Sequence, residues 1–563
     1  FRVSFKNNPK SYTYSADKVV WLTNPQWLVP ELCKVYRGGR LQTDVTEIWQ
    51  FEAGQNNYWR IKYRSGYEGE YTDGQINVVK TCLDEETSMN TYAYLKQVAA
   101  INPLRKEEDK EGILSQIYEK VDFIDDKTAA ACYINPDKHK VRKLSHKDLI
   151  YPFGCNASQK KAVAAAFEHQ VSVVQGPPGT GKTQTILNVI ANIVRNGETV
   201  LVVSNNNSAI TNVQEKLEKY GLAFIVAPLG SKENKELFIS QQTIVPAEVS
   251  SWSCSMQDGM RMKSTLHNTL RSLDKVYALL NEDALLRQEQ QSVDLEWRHF
   301  CMDNGIDEHT PLERRVQSSL IIRLWLHYQS KADGTLIAPD GLWSRITEGL
   351  KSLWMRIICR YRLRLHNKFE QADMKPLVIE LQTLYYLNRR IEIEERLETI
   401  RQELSTYDAD LLTKTLTDTS MTLFKASLHG RYDKQESVLF KDTKDMKAHG
   451  EDFLKRYPVV LSTTFSARSC VFGDKPYDYI IMDEASQVSI ETGALALTCA
   501  NNAVIVGDTL QLPNVVTDED RTKLTAIMEQ YHIPEGYDCA KNSFLESVRT
   551  VIKNVPETML REH

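Results

Sequence analysis

The chain has 563 residues, several times the usual domain length, so two to four folding units are expected. Its 69 basic and 74 acidic residues nearly cancel at −5, and 42% hydrophobic with 25% charged residues is ordinary globular composition. These values exclude wholesale disorder, a collagen-like chain, a bulk polycation and a disulfide miniprotein, and no apolar run approaches the ~18 residues of a membrane span. The 10 cysteines are scattered with no C-x-x-C pair, which speaks against a zinc ribbon or a redox pair. A reducing compartment is expected, cytoplasmic or, in a eukaryote, nuclear. The chain opens on Phe1 rather than Met and has no signal-like stretch, as an excerpt would.

Residues 1–85 read as a small β-rich, barrel-like domain. Trp59, Ile61 and Tyr63 alternate with Arg60, Lys62 and Arg64, the period-two pattern of a half-buried strand. The run Ile48-Trp49-Gln50-Phe51 precedes it across a Gly- and Asn-containing connection at 53–57, which predicts a hairpin. Residues 86–155 become mixed and mostly helical, with helices expected over 91–100 and 112–121. Over 156–244, apolar runs at 171–174, 199–203 and 223–226 alternate with helical segments, the βαβ rhythm of a parallel sheet.

Residues 245–450 are long and helix-rich. Leu266, Leu270, Leu273, Tyr277 and Leu280 keep a four-three spacing, and Leu377, Leu381, Leu384 and Ile391 nearly do. Two antiparallel helices in a coiled-coil stalk would satisfy both stripes, and so would an ordinary bundle. The βαβ rhythm resumes over 451–563, with strands expected at 459–461, 479–481 and 503–506. Such continuous aliphatic runs suit strands buried on both faces. The predicted fold class is α/β: a P-loop parallel-sheet domain interrupted by a helical insertion and preceded by the β-rich domain.

Gly176-Pro177-Pro178-Gly179-Thr180-Gly181-Lys182-Thr183 matches the phosphate-loop pattern G-x-x-x-x-G-K-[ST], with an expected strand before it and a helix from Gln184 after it. The glycines let backbone N–H groups approach phosphate oxygens, and the helix N-terminus adds positive potential. Lys182 is placed to reach the β- and γ-phosphates of ATP, and Thr183 to ligate Mg²⁺. Such a loop needs a carboxylate on a neighbouring strand. Asp483-Glu484 supplies it directly after the apolar run Tyr479-Ile480-Ile481-Met482. Asp483 is expected to hold Mg²⁺ through water, and Glu484 to polarise the attacking water.

Asp483-Glu484-Ala485-Ser486-Gln487 is followed one strand later by Gly507-Asp508-Thr509-Leu510-Gln511-Leu512-Pro513. With both motifs the chain resembles the superfamily 1B helicases, close to the nonsense-mediated-decay and Okazaki-processing helicases, over about 156–228 and 457–563. The resemblance implies a RecA-like fold, ATP and Mg²⁺ as cofactors, and 5′-to-3′ movement on single-stranded DNA or RNA. It makes Gln511 the residue that contacts the γ-phosphate and couples it to nucleic acid, a task an amide suits because it both donates and accepts. It makes Asp508 an orienting group and Gln159 the reader of adenine.

Two further segments match strand-contacting motifs of that family. Ser204, Asn206 and Asn207 follow one expected strand, and Thr463 and Thr464 follow another. Hydroxyls and amides at strand ends bind phosphate and ribose without reading bases, although Ser and Asn there also cap helices. Asn205 stands where relatives often carry proline. Leu560-Arg561-Glu562-His563 resembles the opening of the family's fourth motif, so the chain is expected to hold one of two RecA-like halves and to have little activity alone.

Residues 345–368 carry seven basic residues against Glu348, with Trp354 and Tyr361 interleaved. Leu350, Leu353, Trp354, Ile357, Tyr361 and Leu365 fall on one helical face, leaving Arg356, Arg360, Arg362 and Arg364 largely elsewhere. The expectation is a packed amphipathic helix with a solvated basic face, or a helix that binds a duplex, a partner or a membrane surface. Protein partners are expected through this insertion or the β-rich domain, and no membrane. The alternative to a stepping helicase is an ATP-gated nucleic-acid clamp or scaffold within a larger nuclease or defence complex.

Overall fold

The computed structural model describes the chain apart from residues 5–9, 16–17, 55, 102–111, 139–142, 144–147, 243, 334–351, 366–373, 434–437, 474, 512–515 and 562–563. Nine strands come first: β1 (Arg2–Ser4), β2 (Ser11–Thr13), β3 (Thr23–Leu28), β4 (Cys33–Arg37), β5 (Arg40–Gln42), β6 (Val45–Ala53), β7 (Asn56–Tyr63), β8 (Glu68–Thr72) and β9 (Ile76–Lys80). Beyond the short β1–β2 pair they make two antiparallel sheets, β3-β6-β7-β8 and β5-β4-β9. Val35, Ile76 and Val78 from the second sheet share one core with Ile48, Trp59, Ile61, Tyr63 and Tyr71 from the first. The alternation on β7 behaves as its period requires. Its polar face is neutralised across the sheet, since Arg60 pairs with Glu68 and Glu70, and Lys62 with Glu47.

Three helices follow, Glu86–Ile101, Ile113–Glu119 and Ala129–Ile134. Their tyrosines carry both the apolar surface and the polar link to the next layer. Tyr118 donates to Glu491 O at 2.6 Å, and Tyr94 donates to Tyr537 O at 2.8 Å. These helices therefore sit in the same hydrophobic core as the parallel sheet.

That sheet has seven strands: β10 (Val171–Gln175), β11 (Val200–Ser204), β12 (Val226–Pro228), β13 (Val459–Thr463), β14 (Tyr477–Asp483), β15 (Ala500–Gly507) and β16 (Glu557–Met559). Their order is β12-β13-β11-β14-β15-β10-β16, and every ladder is parallel. All five residues of β10 and of β11 are buried, as aliphatic runs covered on both faces should be. The strand expected at 223–226 is instead a 3₁₀ turn, Ala223–Ile225, and pairing starts only at Val226. Gly221 at φ 72° and the Leu222 N–H bond back to Leu217 O turn the chain tightly, so it is aligned with β13 only beyond that point.

Residues 267–415 form a separate compact unit. From His267 onward the helix Met256–Asn304 belongs to it and runs antiparallel to the helix Lys375–Ser405, clamped by Arg396–Glu282, Arg389–Glu289 and Arg390–Asp294 ion pairs. A third helix, Ser318–Ala332, packs Ile321, Leu324 and Tyr328 against Leu377, Leu381 and Leu384 of the second. The arrangement is a bundle rather than a two-stranded coil. On the first helix Leu273, Val276 and Leu279 are buried, whereas Leu280 of the expected stripe is exposed.

Thr81 and Asp125 form the bridge where the β-rich region meets the helical connector. Burial, with Asp126 adding like charge, pushes the Asp125 carboxyl up to about 6, while Lys127 N–H donates to it at 2.8 Å. A carboxyl raised in the folded state binds more protons there than in the unfolded chain, so stability falls as pH rises from about 4 to 6. Asp125→Asn keeps the acceptor and removes the charge. It is expected to raise stability at pH 8 by up to about 3 kcal/mol, a gain that vanishes below pH ~4, as read by urea unfolding across pH.

Candidate active site

Because every strand of the large sheet is parallel, the segments singled out in the sequence leave it at one edge, the C-terminal ends of the strands. β10 ends at Gln175 and enters the loop Gly176–Gly181, whose Pro177, Pro178 and Gly179 are exposed. Gly179 and Gly181 lie in the left-handed region at φ 89° and 84°. A Cβ on Gly181 would also lie 2.0 Å from Gln159 Nε2, so only glycine fits. The helix Lys182–Arg195 begins without a side-chain cap, which leaves its first N–H groups directed at the loop. Thr180 is buried and closes the loop through a 2.8 Å bond to Pro177 O.

Lys182 lies across the loop, donating to Gly176 O at 3.0 Å, and its Nζ is 3.7 Å from Glu484 Oε1. The acids come from β14, which is not next to β10 as expected. β15 lies between them, and the reach of Lys182 and Glu484 closes the gap. Glu484 takes a left-handed backbone at φ 54°, ψ 41°, which turns the chain out of the strand immediately after Asp483. Its Oε2 is buried with no hydrogen-bond partner. Burial, and then the neighbouring Glu484 carboxylate, push the Asp483 carboxyl up to about 6, against the pull of the Glu484 N–H at 2.9 Å and of Lys182. Thr183 Oγ1, at the helix start, accepts from Asn212 at 3.3 Å. Among the described residues no cluster of three His, Cys, Asp or Glu groups suits a metal on its own.

Gln159 is fully buried and doubly engaged. Its Oε1 accepts from Asn156 N at 2.9 Å in a capping box, and its Nε2 donates to Thr180 O at 3.3 Å and Gln184 Oε1 at 3.2 Å. Gln184 in turn donates to Phe153 O at 2.5 Å. Gln511 is half-buried in the turn after β15, where Asp508 accepts from Leu510 N at 2.9 Å. Leu512 and Pro513 lie outside the described residues.

The strand-end residues divide by function. Ser204 sits in register between Thr463 of β13 and Asp483 of β14. Asn206 and Thr463 serve as helix caps, accepting from Ser208 N at 3.0 Å and Ser466 N at 3.3 Å. Asn207 is exposed. Thr464 Oγ1, Ser486 Oγ and Asn205 Oδ1 are buried without hydrogen-bond partners, a concentration of unsatisfied polar atoms at the same sheet edge.

This geometry bears on the comparison with known proteins. The family described as AAA domain matches residues 154–519, more than half of the chain. The chain belongs to this family. The chain is 36% identical over 90 residues to regulator of nonsense transcripts 1 of Caenorhabditis elegans, covering 16% of the chain and 8% of that protein. It is 38% identical over 71 residues to the DNA polymerase alpha-associated DNA helicase A of Schizosaccharomyces pombe, covering 12% and 11%. An ATP-dependent helicase of Mycoplasma genitalium aligns over 424 residues at 22% identity, covering 60% of the chain and 38% of that protein. The chain thus spans well under two thirds of the length of these relatives. Among its described residues no helix is long and apolar enough to cross a membrane.

Two groups of residues at the site escape the motif reading. Thr509 donates to Gln175 Oε1 at 2.9 Å, Gln175 donates to Glu557 at 2.5 Å, and Glu557 accepts from Arg549 at 2.8 Å, tying the ends of β15, β10 and β16 together. The one available signal was a glutamine ending an otherwise aliphatic strand. Asn188 and Asn192, buried on the helix after the phosphate loop, hold the segment that delivers Gln159. Asn188 accepts from Phe153 N and donates to Gly154 O, while Asn192 accepts from Ile150 N at 2.9 Å and donates to Ile150 O at 2.7 Å. Asn192→Ala strands both Ile150 groups and is expected to lower stability by about 2–4 kcal/mol in urea unfolding. A loss below about 0.5 kcal/mol would mean that these bonds hold nothing that water does not.

Proposed function

We propose that this chain carries the ATP site of a helicase or translocase that moves on single-stranded DNA or RNA. The observation that supports it best is the approach of Lys182 and Glu484 to 3.7 Å, with one Glu484 oxygen buried and unpartnered. A buried carboxylate oxygen without a donor is costly unless a proton donor enters the site in use, and an attacking water is such a donor. The uncapped helix start and the two left-handed glycines fit a polyphosphate, and the buried Asp483, whose carboxyl is raised by burial and by Glu484, fits a divalent cation that restores charge balance.

In this reading the backbone of Gly176, Pro177, Pro178, Gly179, Thr180 and Gly181 cradles the phosphates. Lys182 exchanges its bond to Gly176 O for the β- and γ-phosphates. Thr183 and Asp483 would hold Mg²⁺, which would supply positive charge to neutralise the phosphates. Glu484 accepts a proton from the attacking water. Gln511 reports on the γ-phosphate from the turn after β15. Gln159 releases Gln184 to present its amide to adenine. Ser204, Asn206, Asn207, Thr463 and Thr464 line the strand path, with the unsatisfied Thr464 hydroxyl the most available donor.

The test uses the protein that contains this chain. Lys182→Ala is expected to weaken binding of a fluorescent ATP analogue. Glu484→Gln is expected to keep binding and to slow phosphate release by about 10²-fold or more, the scale for losing a positioned base. Unchanged turnover in Glu484→Gln would remove the base assignment, and strand separation in the same assay distinguishes a moving helicase from a clamp.

A further inference from the structure

The arginine-rich stretch of the insertion does not pack as its sequence pattern predicts. Residues 352–357 are helical and continue into a π-helical turn, Ile358–Arg362. The side anchored in the bundle core is Met355, Ile358, Cys359 and Leu363. The face expected to be buried points outward: Leu353, Trp354 and Ile357 are 54%, 55% and 47% exposed, and Tyr361 is 73% exposed. Leu365 alone of the described stripe is buried, while Leu350 falls outside the described residues. Beyond Ile357 the wider winding of the π turn shifts the register and carries Tyr361 away from the face that Leu363 and Leu365 occupy.

Arg356, Arg360, Arg362 and Arg364 are exposed beside that apolar stripe, and no acid occurs between residues 352 and 365. Among the described residues none of the four is joined to a carboxylate. An exposed apolar stripe of this size marks an interaction surface, and unopposed positive charge around it selects a polyanion.

We propose that this face binds single-stranded nucleic acid, with bases stacked on Trp354 and Tyr361 and backbone phosphates held by Arg356 and Arg360. The two rings lie seven residues apart, about 10 Å along a helix axis, a spacing that admits separate bases. Every base offers a π-face, so such a platform is tolerant of sequence. All four basic residues of the stretch are arginine rather than lysine, which suits bidentate contact to phosphate and stacking on bases. The inference rests on the proposed nucleic-acid activity and adds to it a second binding surface, on the helical unit, outside the ATP-site motifs.

Fluorescence anisotropy on the whole chain tests it, with labelled oligomers of about 8 and about 30 nucleotides, lengths below and above a typical single-module site. Trp354→Ala with Tyr361→Ala is expected to weaken the longer oligomer about tenfold or more and to leave the shorter one nearly unchanged. Arg356→Ala with Arg360→Ala should flatten the dependence of log affinity on log salt by about 1.4, from about 0.7 for each phosphate that an arginine no longer neutralises. Because all four side chains are exposed, unchanged thermal unfolding will confirm that the variants are folded. If both oligomers bind the aromatic variant like the parent, this surface is not the platform, while the helicase reading stands. If neither oligomer binds the parent, it is the nucleic-acid reading itself that fails. Binding to phosphatidylserine vesicles that is lost in the aromatic variant, with oligomer affinity intact, would reassign the face to an anionic membrane surface and overturn the proposal.

Discussion

Two carboxylates withdrawn from water beside a single ammonium group form the constraint on which the site depends. Asp483 and Glu484 stand at the end of a strand buried on both faces, and Lys182 is the cation facing them. Burial and then the neighbouring Glu484 carboxylate lift the Asp483 carboxyl to about 6, so the adjacent acids resist sharing negative charge in the protein alone. A group that brings positive charge and proton donors relieves that tension. The protein is thus built with an electrostatic deficit at the place where the nucleotide is proposed to bind, and the rest of the fold holds that deficit in position.

The parallel sheet does the holding. Registered pairing of β11 with β13 and β14 sets Ser204, Thr463 and Asp483 side by side, and the β10–β15 ladder sets the phosphate loop against the turn that bears Gln511. Polar side chains buried within the layers fix the loops more tightly than the strands could. Gln175 joins three strand ends with one amide, and Asn188 and Asn192 replace water for a backbone segment that makes no ladder. Such groups keep their hydrogen bonds only in one arrangement, which is why they specify geometry as well as stability.

Local capping and ligand binding draw on the same chemistry at this edge. Asn206 and Thr463 are committed to capping, whereas Thr464 and Asn205 keep buried oxygens without partners only a residue away. The difference between neighbours is one of orientation at a strand end, not of residue type. The helical unit shows the same at larger scale, since among the described residues two long helices joined by arginine–glutamate pairs leave one face of a third segment without apolar cover.

The parallel-sheet architecture, the phosphate loop and the acidic pair were legible in the amino-acid order, because all three depend on local rules. Buried parallel strands need aliphatic runs, and a loop that approaches phosphate needs glycine and lysine at fixed spacing. The leucine stripes of the helices Met256–Asn304 and Lys375–Ser405 left an antiparallel stalk and an ordinary bundle equally open, because either arrangement covers one apolar face. It took packing in three dimensions to place β15 between the phosphate-loop strand and the acidic strand and to turn the stripe of Trp354 and Tyr361 outward. Each of these turns on strand order, or on which of two helical faces finds a partner. A helix with apolar residues on both sides buries the side that its neighbours can reach, and periodicity cannot say where those neighbours are.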